Sequence, residues 1–256
     1  MKKFTAIILA LVMALTLAAC GNGGGISQAE YDRLQRELDK LQNELDGLKD
    51  NNSGSASTGS GPYASAETGD VIQFGGNDWR VLDVQGDKAL ILSDRVMTVR
   101  GYHTASTAIT WAECDIREYL NGQFIDDTFT TAEKAMIAET RNLNKSNQWN
   151  NTAGGIDTID KVFLLSIEEV VQYFGDSGQL SNKPNDTSYI DDEYNSRRIA
   201  LGKDNDTACW WWLRSPGVIS DSAASVSTDG SVGVGLGWSS RVSAVGGVRP
   251  ALWLNL

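Results

Sequence analysis

The nineteen residues from Asn51 to Gly69, dominated by Ser, Gly, Ala, Thr and Asn, decide where a core can form in this chain. That composition is a flexible linker, so the folded domain is expected to start near Asp70 and run to Leu256. With 256 residues, 41% of them apolar, the chain can bury a substantial core. A net charge of -11 argues against electrostatic capture of nucleic acid. One histidine and three cysteines exclude His-rich metal sites, four-cysteine zinc sites and disulfide-dense scaffolds, and no cofactor or metal is expected.

Upstream of the linker the chain has three segments. Met1-Lys2-Lys3, the apolar run Ala6 to Ala19 and then Leu17-Ala18-Ala19-Cys20 have the layout of a secretory signal over residues 1-19, too short for a normal transmembrane helix. The L-A-A-C run resembles a bacterial lipobox, which makes Cys20 the lipid attachment point and places the mature protein on the extracellular face of the cell membrane. Cleavage there removes two lysines and no acid, leaving 20 basic against 33 acidic side chains, a net of -13. Residues 20-26 read as the lipidated Cys and a Gly-rich tether. Within residues 27-50, Tyr31, Leu34, Leu38, Leu41, Leu45 and Leu48 follow alternating steps of three and four, a heptad seam. It spans under three heptads, so it is read as a short coiled-coil stalk that pairs copies into a homo-oligomer, with a solvated spacer helix as the alternative.

Downstream, short β-like runs appear at Val71 to Phe74, Trp79 to Val84 and Lys88 to Ser93, separated by Gly75-Gly76-Asn77 and Gly86-Asp87 turns. Thr110 to Glu113, Thr130 to Glu133 and Ser166 to Glu169 have the spacing of capping boxes and predict three helices, the first ending at Asn121-Gly122 and the third near Phe174-Gly175. Val162 to Leu165 reads as a buried strand, while Asn142 to Gly155 and Ser181 to Asp206 read as polar and irregular. Val226, Val232, Val234 and Leu236 share one parity with Ser and Gly on the other, which predicts strands with one buried face and a hairpin turn at Thr228 to Ser231. Val248 to Leu254 reads as a terminal core strand. Mixed elements without repeated β-α-β order indicate an α+β domain.

Three ordered motifs carry a resemblance: Asp160-Lys-Val-Phe-Leu-Leu-Ser166, Trp211-Trp-Leu-Arg-Ser-Pro-Gly217 and Gly247-Val-Arg-Pro-Ala-Leu252. Over roughly residues 70-256 the chain resembles a family of unknown-function domains with a C-type-lectin-like fold, shared with the formylglycine-generating enzymes and common on Gram-positive gut bacteria. Some members are variable proteins of diversity-generating retroelements. In those, the segment between the second and third motifs is rewritten at adenine-containing codons to form a ligand-binding surface on a fixed scaffold.

Randomised Asn codons ending in C or T never yield Lys, Glu, Gln, Met or Trp. Gly217 to Gly247 contains no Lys, Glu, Gln or Met, although the chain holds 10, 11, 9 and 4 of them; about four would be expected in such a window at average usage. A Gly/Ser-rich sheet that excludes long side chains explains the same absence, and Trp238 cannot come from such a codon. Both readings place the variable or binding region within 210-247. The candidate ligand-binding residues are Val218, Ile219, Ser220, Asp221 and Ser222 after Gly217, Ser227 and Thr228 on the turn, and Ser231, Gly233, Gly235, Trp238, Ser239 and Arg241 beyond it. Trp238 and Arg241 are the natural anchors. Trp210 to Trp212 are read as structural, and Arg214 and Arg249 as groups that orient neighbouring carbonyls or carboxylates.

The expected partner is a protein or glycan at the cell surface, together with the membrane through Cys20. No enzymatic activity is expected. Gly175-Asp-Ser-Gly178 matches a serine-protease nucleophile string with His103 upstream, but it reads as a helix cap and turn. Cys114 and Cys209 are either a structural disulfide or two buried thiols, with the cysteine pair of a formylglycine-generating-type enzyme as the lesser alternative that the resemblance implies. The resemblance suggests calcium-dependent sugar binding, but Lys183-Pro184-Asn185-Asp186 puts a lysine in place of a ligating carboxylate. Asp191, Asp192, Glu193, Asp204 and Asp206 read as an acidic solvated loop, with oxygens for a hard cation such as calcium as the alternative. From Trp210 onward only Asp221, Asp229, Arg214, Arg241 and Arg249 are charged, so recognition there depends on shape and short-range contacts.

Overall fold

Turn chemistry sets the first sheet. In the computed structural model, which describes residues 61-184, 188-234 and 240-256, β1 (Val71–Phe74), β2 (Asn77–Gln85) and β3 (Lys88–Ser93) form the expected antiparallel meander. Phe74 pairs with Asn77 across Gly75 and Gly76, whose φ values of 56° and 68° are those a two-residue hairpin turn demands and side chains resist. The signal peptide, Cys20, the tether, the stalk and residues 51-60 of the linker lie outside the described residues. The linker does not extend to Gly69 as expected. Tyr63 and Ala66 pack on the core, Tyr63 Oη donates to the Gln73 carbonyl at 2.8 Å, and Gly69 N–H donates to Val81 O at 2.9 Å. One aromatic ring in a polar segment is enough apolar surface to dock nine residues.

After β4 (Thr98–Gly101) the first expected helix is shorter than its capping pattern implies, while the third ends at Phe174 as expected. Trp111–Glu113 forms a single 3-10 turn without a side-chain cap from Thr110, because Cys114 is extended and breaks the helix. The chain resumes as α1 (Asp115–Asn121) and, beyond Gly122, an unexpected α2 (Gln123–Thr128) that buries Phe124 and Ile125. Both other capping boxes form, Thr130 with Glu133 opening α3 (Thr131–Met136) and Ser166 with Glu169 opening α4 (Ile167–Phe174). Between these two helices run β5 (Ile137–Ala138) and the β6 (Thr140–Asn142) and β7 (Thr158–Asp160) ribbon. Val162 to Leu165 is buried as expected but is not a strand. Only Phe163 bridges Ala251, and the rest is held by side-chain and loop contacts.

The expected irregular stretch 181-206 contains β8 (Tyr189–Ile190), α5 (Asn195–Arg198) and β9 (Ala200–Leu201), which pairs with β10 (Ala208–Cys209). Then follow β11 (Trp211–Pro216), β12 (Ser222–Val226), β13 (Val232–Gly233), β14 (Ser240–Arg241), β15 (Val245–Val248) and β16 (Ala251–Asn255). The single terminal strand read from Val248 to Leu254 is therefore two strands in two sheets, separated at Arg249-Pro250, where proline has no N–H for a ladder. β16 sits between β3 and β5 in a five-stranded sheet. β15 pairs parallel to β11 in a seven-stranded sheet ordered β4-β15-β11-β12-β13-β8, with β14 also on β12. Mixed sheets and short helices make the domain α+β, as expected.

The core joins both sheets. Trp79, Trp111, Trp211 and Trp212 are fully buried, and each indole N–H finds an acceptor: Phe74 O, Asp160 Oδ2, Arg198 O and Arg100 O. Trp211 and Trp212 lie on opposite faces of β11, as their parity requires, while Trp210 is half-buried with its ring 4.8 Å from that of Trp212.

Candidate ligand-binding surface

The hairpin that carries the candidate residues differs from the expected half-buried one. The turn is as predicted: Ser225 pairs with Gly233, Val226 pairs with Val232, and Ser227 N–H donates to Ser231 O at 2.8 Å. Yet β12 is buried along its whole length, Ser and Ala positions included. Ser222, Ser231 and Gly233 are buried with it, so these three expected contact residues are scaffold. Small side chains on the second face let other segments close over it. Asn147, itself buried, donates from Nδ2 to Pro216 O at 3.1 Å and Val234 O at 2.9 Å. Gly235, Trp238 and Ser239 lie outside the described residues.

The remaining candidates fall at two ends of β12. Val218, Ile219, Ser220 and Asp221 precede it, and Ser227 and Thr228 follow it; five residues of strand separate the two groups by about 17 Å. The turn end leans on α5. A Cβ on Gly230, at φ 86°, would lie 1.9 Å from Asn195 O, so only glycine lets the turn approach that carbonyl. Asp229 Oδ1 accepts from Ser231 N–H at 3.0 Å, and that bond, with the Ser231 hydroxyl, holds its carboxyl below the usual range.

At the other end, three segments distant in sequence meet. Ile109 N–H donates to Ser220 O at 3.0 Å, Val242 N–H to Asp221 O at 3.0 Å, and His103 N–H to Val242 O at 2.9 Å. The Arg241 guanidinium pairs with the Asp221 carboxylate, and the Ser106 and Ser243 hydroxyls are 2.6 Å apart. Thr152 Oγ1 donates to Val218 O at 2.7 Å and fixes the loop from below. Ile219, Ser220, Arg241 and Ser243 are exposed, as are Thr104 to Ala108. The neighbouring Asp115 accepts from the Thr104 hydroxyl and backbone N–H, which lowers its pKa, and His103 Nδ1 lies 2.8 Å from its other oxygen. Residues 103-109 and Ser243 were not expected in this surface; their exposed Ser/Thr run was the only local sign.

The surface can make short hydrogen bonds and apolar contacts. It presents one ion pair, an isoleucine and several hydroxyls. Ser177 of the protease-like string is bound by Asp192 Oδ2 at 2.7 Å, while the histidine lies beside Asp115. Cys114 and Cys209 are both free; burial pushes the Cys114 thiol up to about 12. Among the described residues no group of three His, Cys, Asp or Glu could hold a metal ion. Asp192 and Asp206 instead pair with Arg198 and Arg95. No helix among the described residues is long and apolar enough to cross a membrane.

Fold and surface define an α+β domain that presents loops on a buried mixed sheet. Residues 86–256 match the sequence model of a family described as Domain of unknown function (DUF6273), and the chain belongs to that family. Nothing matches among curated proteins or among solved structures.

Proposed function

We propose that the chain is a lipid-anchored, surface-displayed binding protein whose domain is C-type-lectin-like and whose segments 103-109, 218-221 and 241-243 contact a protein or glycan. The observation that carries the reading is the apposition of these three segments by backbone hydrogen bonds beside a strand, β12, that is buried on both faces. The three motifs behind the lectin-like resemblance also meet in the core: Phe163 bridges Ala251, Arg214 N–H donates to Leu165 O at 2.9 Å, and Trp211 pairs with Gly247 across the parallel β11–β15 ladder. Anchoring rests on Cys20 and its flanking sequence, and pairing of copies on the residue 31-48 seam.

Diversification by a retroelement fits the exposed positions, since Ile219, Ser220 and Arg241 can be exchanged without touching the core. The burial of Ser222 to Val226 favours the alternative, an undiversified envelope scaffold or adhesion protein of the same fold. A near-copy of the coding 3′ end, differing chiefly at adenines and beside a reverse transcriptase, decides between them.

Binding itself is tested by applying the full chain to a glycan array and to a panel of extracellular protein domains. A variant with Val218 to Asp221 replaced by Gly-Ser-Gly-Ser runs beside it. Signals present with the native chain and lost in the variant, at unchanged thermal unfolding, are expected. Absence of any signal, or signals equal in both, refutes the assignment.

A further inference from the structure

A second concave site shares no residue with the loop surface. A cavity of about 490 Å³ opens between β2, the C-terminal end of α4, the α5 segment and the Arg249 corner. That volume is within the range of small-molecule sites, about 300–1,000 Å³. Four arginines line it, Arg80, Arg95, Arg197 and Arg249, against one carboxylate, Asp94. In a chain of net charge -11 this is a local inversion of sign.

Asp94 and Arg95 are already committed. Asp94 Oδ1 accepts from Arg80 Nη2 at 2.7 Å, and Arg95 bonds Gly202 O, Asn205 O and Asp206. Arg197 is exposed and stacks over the Tyr194 ring at 5.2 Å, with no carboxylate partner among the described residues. Arg249 is 2% exposed. Its Nε donates to Ser93 O at 2.8 Å and Nη2 to Asp94 O at 3.3 Å, while its guanidinium faces the rings of Trp211 and Phe174 at 5.1 and 5.7 Å. Nη1 has no hydrogen-bond partner among the described residues. Burial depresses its pKa to about 10, with Asp94 opposing and Arg80 adding to the shift; at neutral pH the group is still charged. A buried cation held by carbonyls and ring faces, with no carboxylate bonded to it, is costly unless an anion completes it. Leu82, Phe174 and Ile199 give the same cavity an apolar wall.

We propose that this cavity binds a small organic oxyanion, a carboxylate or phosphate monoester with an apolar body, its head met by Arg249 and Arg197 and its body by the Leu82–Phe174 wall. Planar guanidinium groups suit both head groups, and the wall favours an aromatic or aliphatic ligand over a bare ion.

The test titrates the full chain with benzoate, phenyl phosphate, acetate and inorganic phosphate, by calorimetry and thermal shift in a buffer free of other oxyanions. Saturable binding of benzoate or phenyl phosphate, at least about tenfold tighter than acetate or inorganic phosphate, is expected, and the better of the two names the head group. Arg197→Glu should weaken it at least about tenfold while the unliganded melting temperature holds, because the replaced side chain is exposed. Arg249→Met tests the buried partner; if it does not fold, Arg197→Glu and Leu82→Asn decide. No saturable binding of any probe to 10-fold molar excess over about 1 mM protein, binding equal in Arg197→Glu, or binding of the bare ions alone overturns the proposal.

Discussion

Removing the Arg198 charge while leaving Asp192 in place tests how the turn end of β12 is held. The two side chains are 0% and 1% exposed and form a two-pronged pair, Nη1 to Oδ1 at 2.9 Å and Nη2 to Oδ2 at 3.1 Å. Arg198 also donates to Gly175 O at 2.9 Å, and Asp192 accepts from Ser177 Oγ at 2.7 Å and Tyr194 N–H at 2.9 Å. In Arg198→Met the carboxylate stays buried and keeps only the Ser177 and Tyr194 donors. Breaking a buried pair in this way costs about 3–5 kcal/mol, a large part of the roughly 5–15 kcal/mol that holds a domain together. The urea midpoint, followed by tryptophan fluorescence, should fall by about 1–2 M.

Asp192→Leu alone should cost a similar amount, and the double variant less than the sum by at least about 1.5 kcal/mol, because no isolated charge remains. The pH dependence follows from Asp192. Burial by itself raises its pKa, but the bonds from Arg198, Ser177 and the Tyr194 N–H outweigh burial and hold it below the ordinary 3.8. A group depressed on folding stabilises fully above its unfolded value and loses that contribution as pH falls through the folded one. The native chain should therefore hold the Asp192 contribution in full at pH 7 and lose it below about pH 4, while in Arg198→Met, where burial is less opposed, the carboxyl takes up its proton at higher pH and the gap to the native chain narrows from there downward. A cost under about 1 kcal/mol at pH 7, or additivity in the double variant, would refute the reasoning.

Two further outcomes test the loop end and the thiols. Asn147→Ala should cost about 1–3 kcal/mol, since the Pro216 and Gly217 carbonyls lose the Asn147 amide and Val234 O keeps only that of Asn150; hydrogen exchange of the 218-222 amides should accelerate, and unchanged exchange would deny Asn147 its role in holding the loop. Cys114, its thiol pushed up to about 12 by burial, should stay unmodified by iodoacetamide at pH 8 in the folded protein and react in urea, as read by mass spectrometry.

Much of the local structure could be read from residues a few positions apart. Gly75-Gly76 closes its hairpin, Thr130–Glu133 and Ser166–Glu169 cap their helices, and Thr228 to Ser231 turns β12 into β13. These signals are short-ranged because a turn or cap is satisfied by its own backbone. Thr110 failed as a cap for the same kind of reason in reverse: the extended Cys114 interrupts the helix it would open.

By itself, then, the sequence determined the turns, two of three caps, the α+β class and the burial of Trp211 and Trp212 on two faces, since each depends on local geometry or on the bulk of one side chain. Tertiary structure alone decided the rest. The small-residue face of the β12–β13 hairpin became core, with Asn147 and Thr152 bonded to the chain on either side of it, Val248 to Leu254 divided between two sheets at Pro250, and the candidate residues separated to opposite ends of one strand. Residues 103-109 joined that surface through bonds to Ser220 and Val242, more than a hundred positions away. Whether a small residue faces water or a neighbour depends on which distant segment packs against it, and alternation along one strand carries no record of that partner.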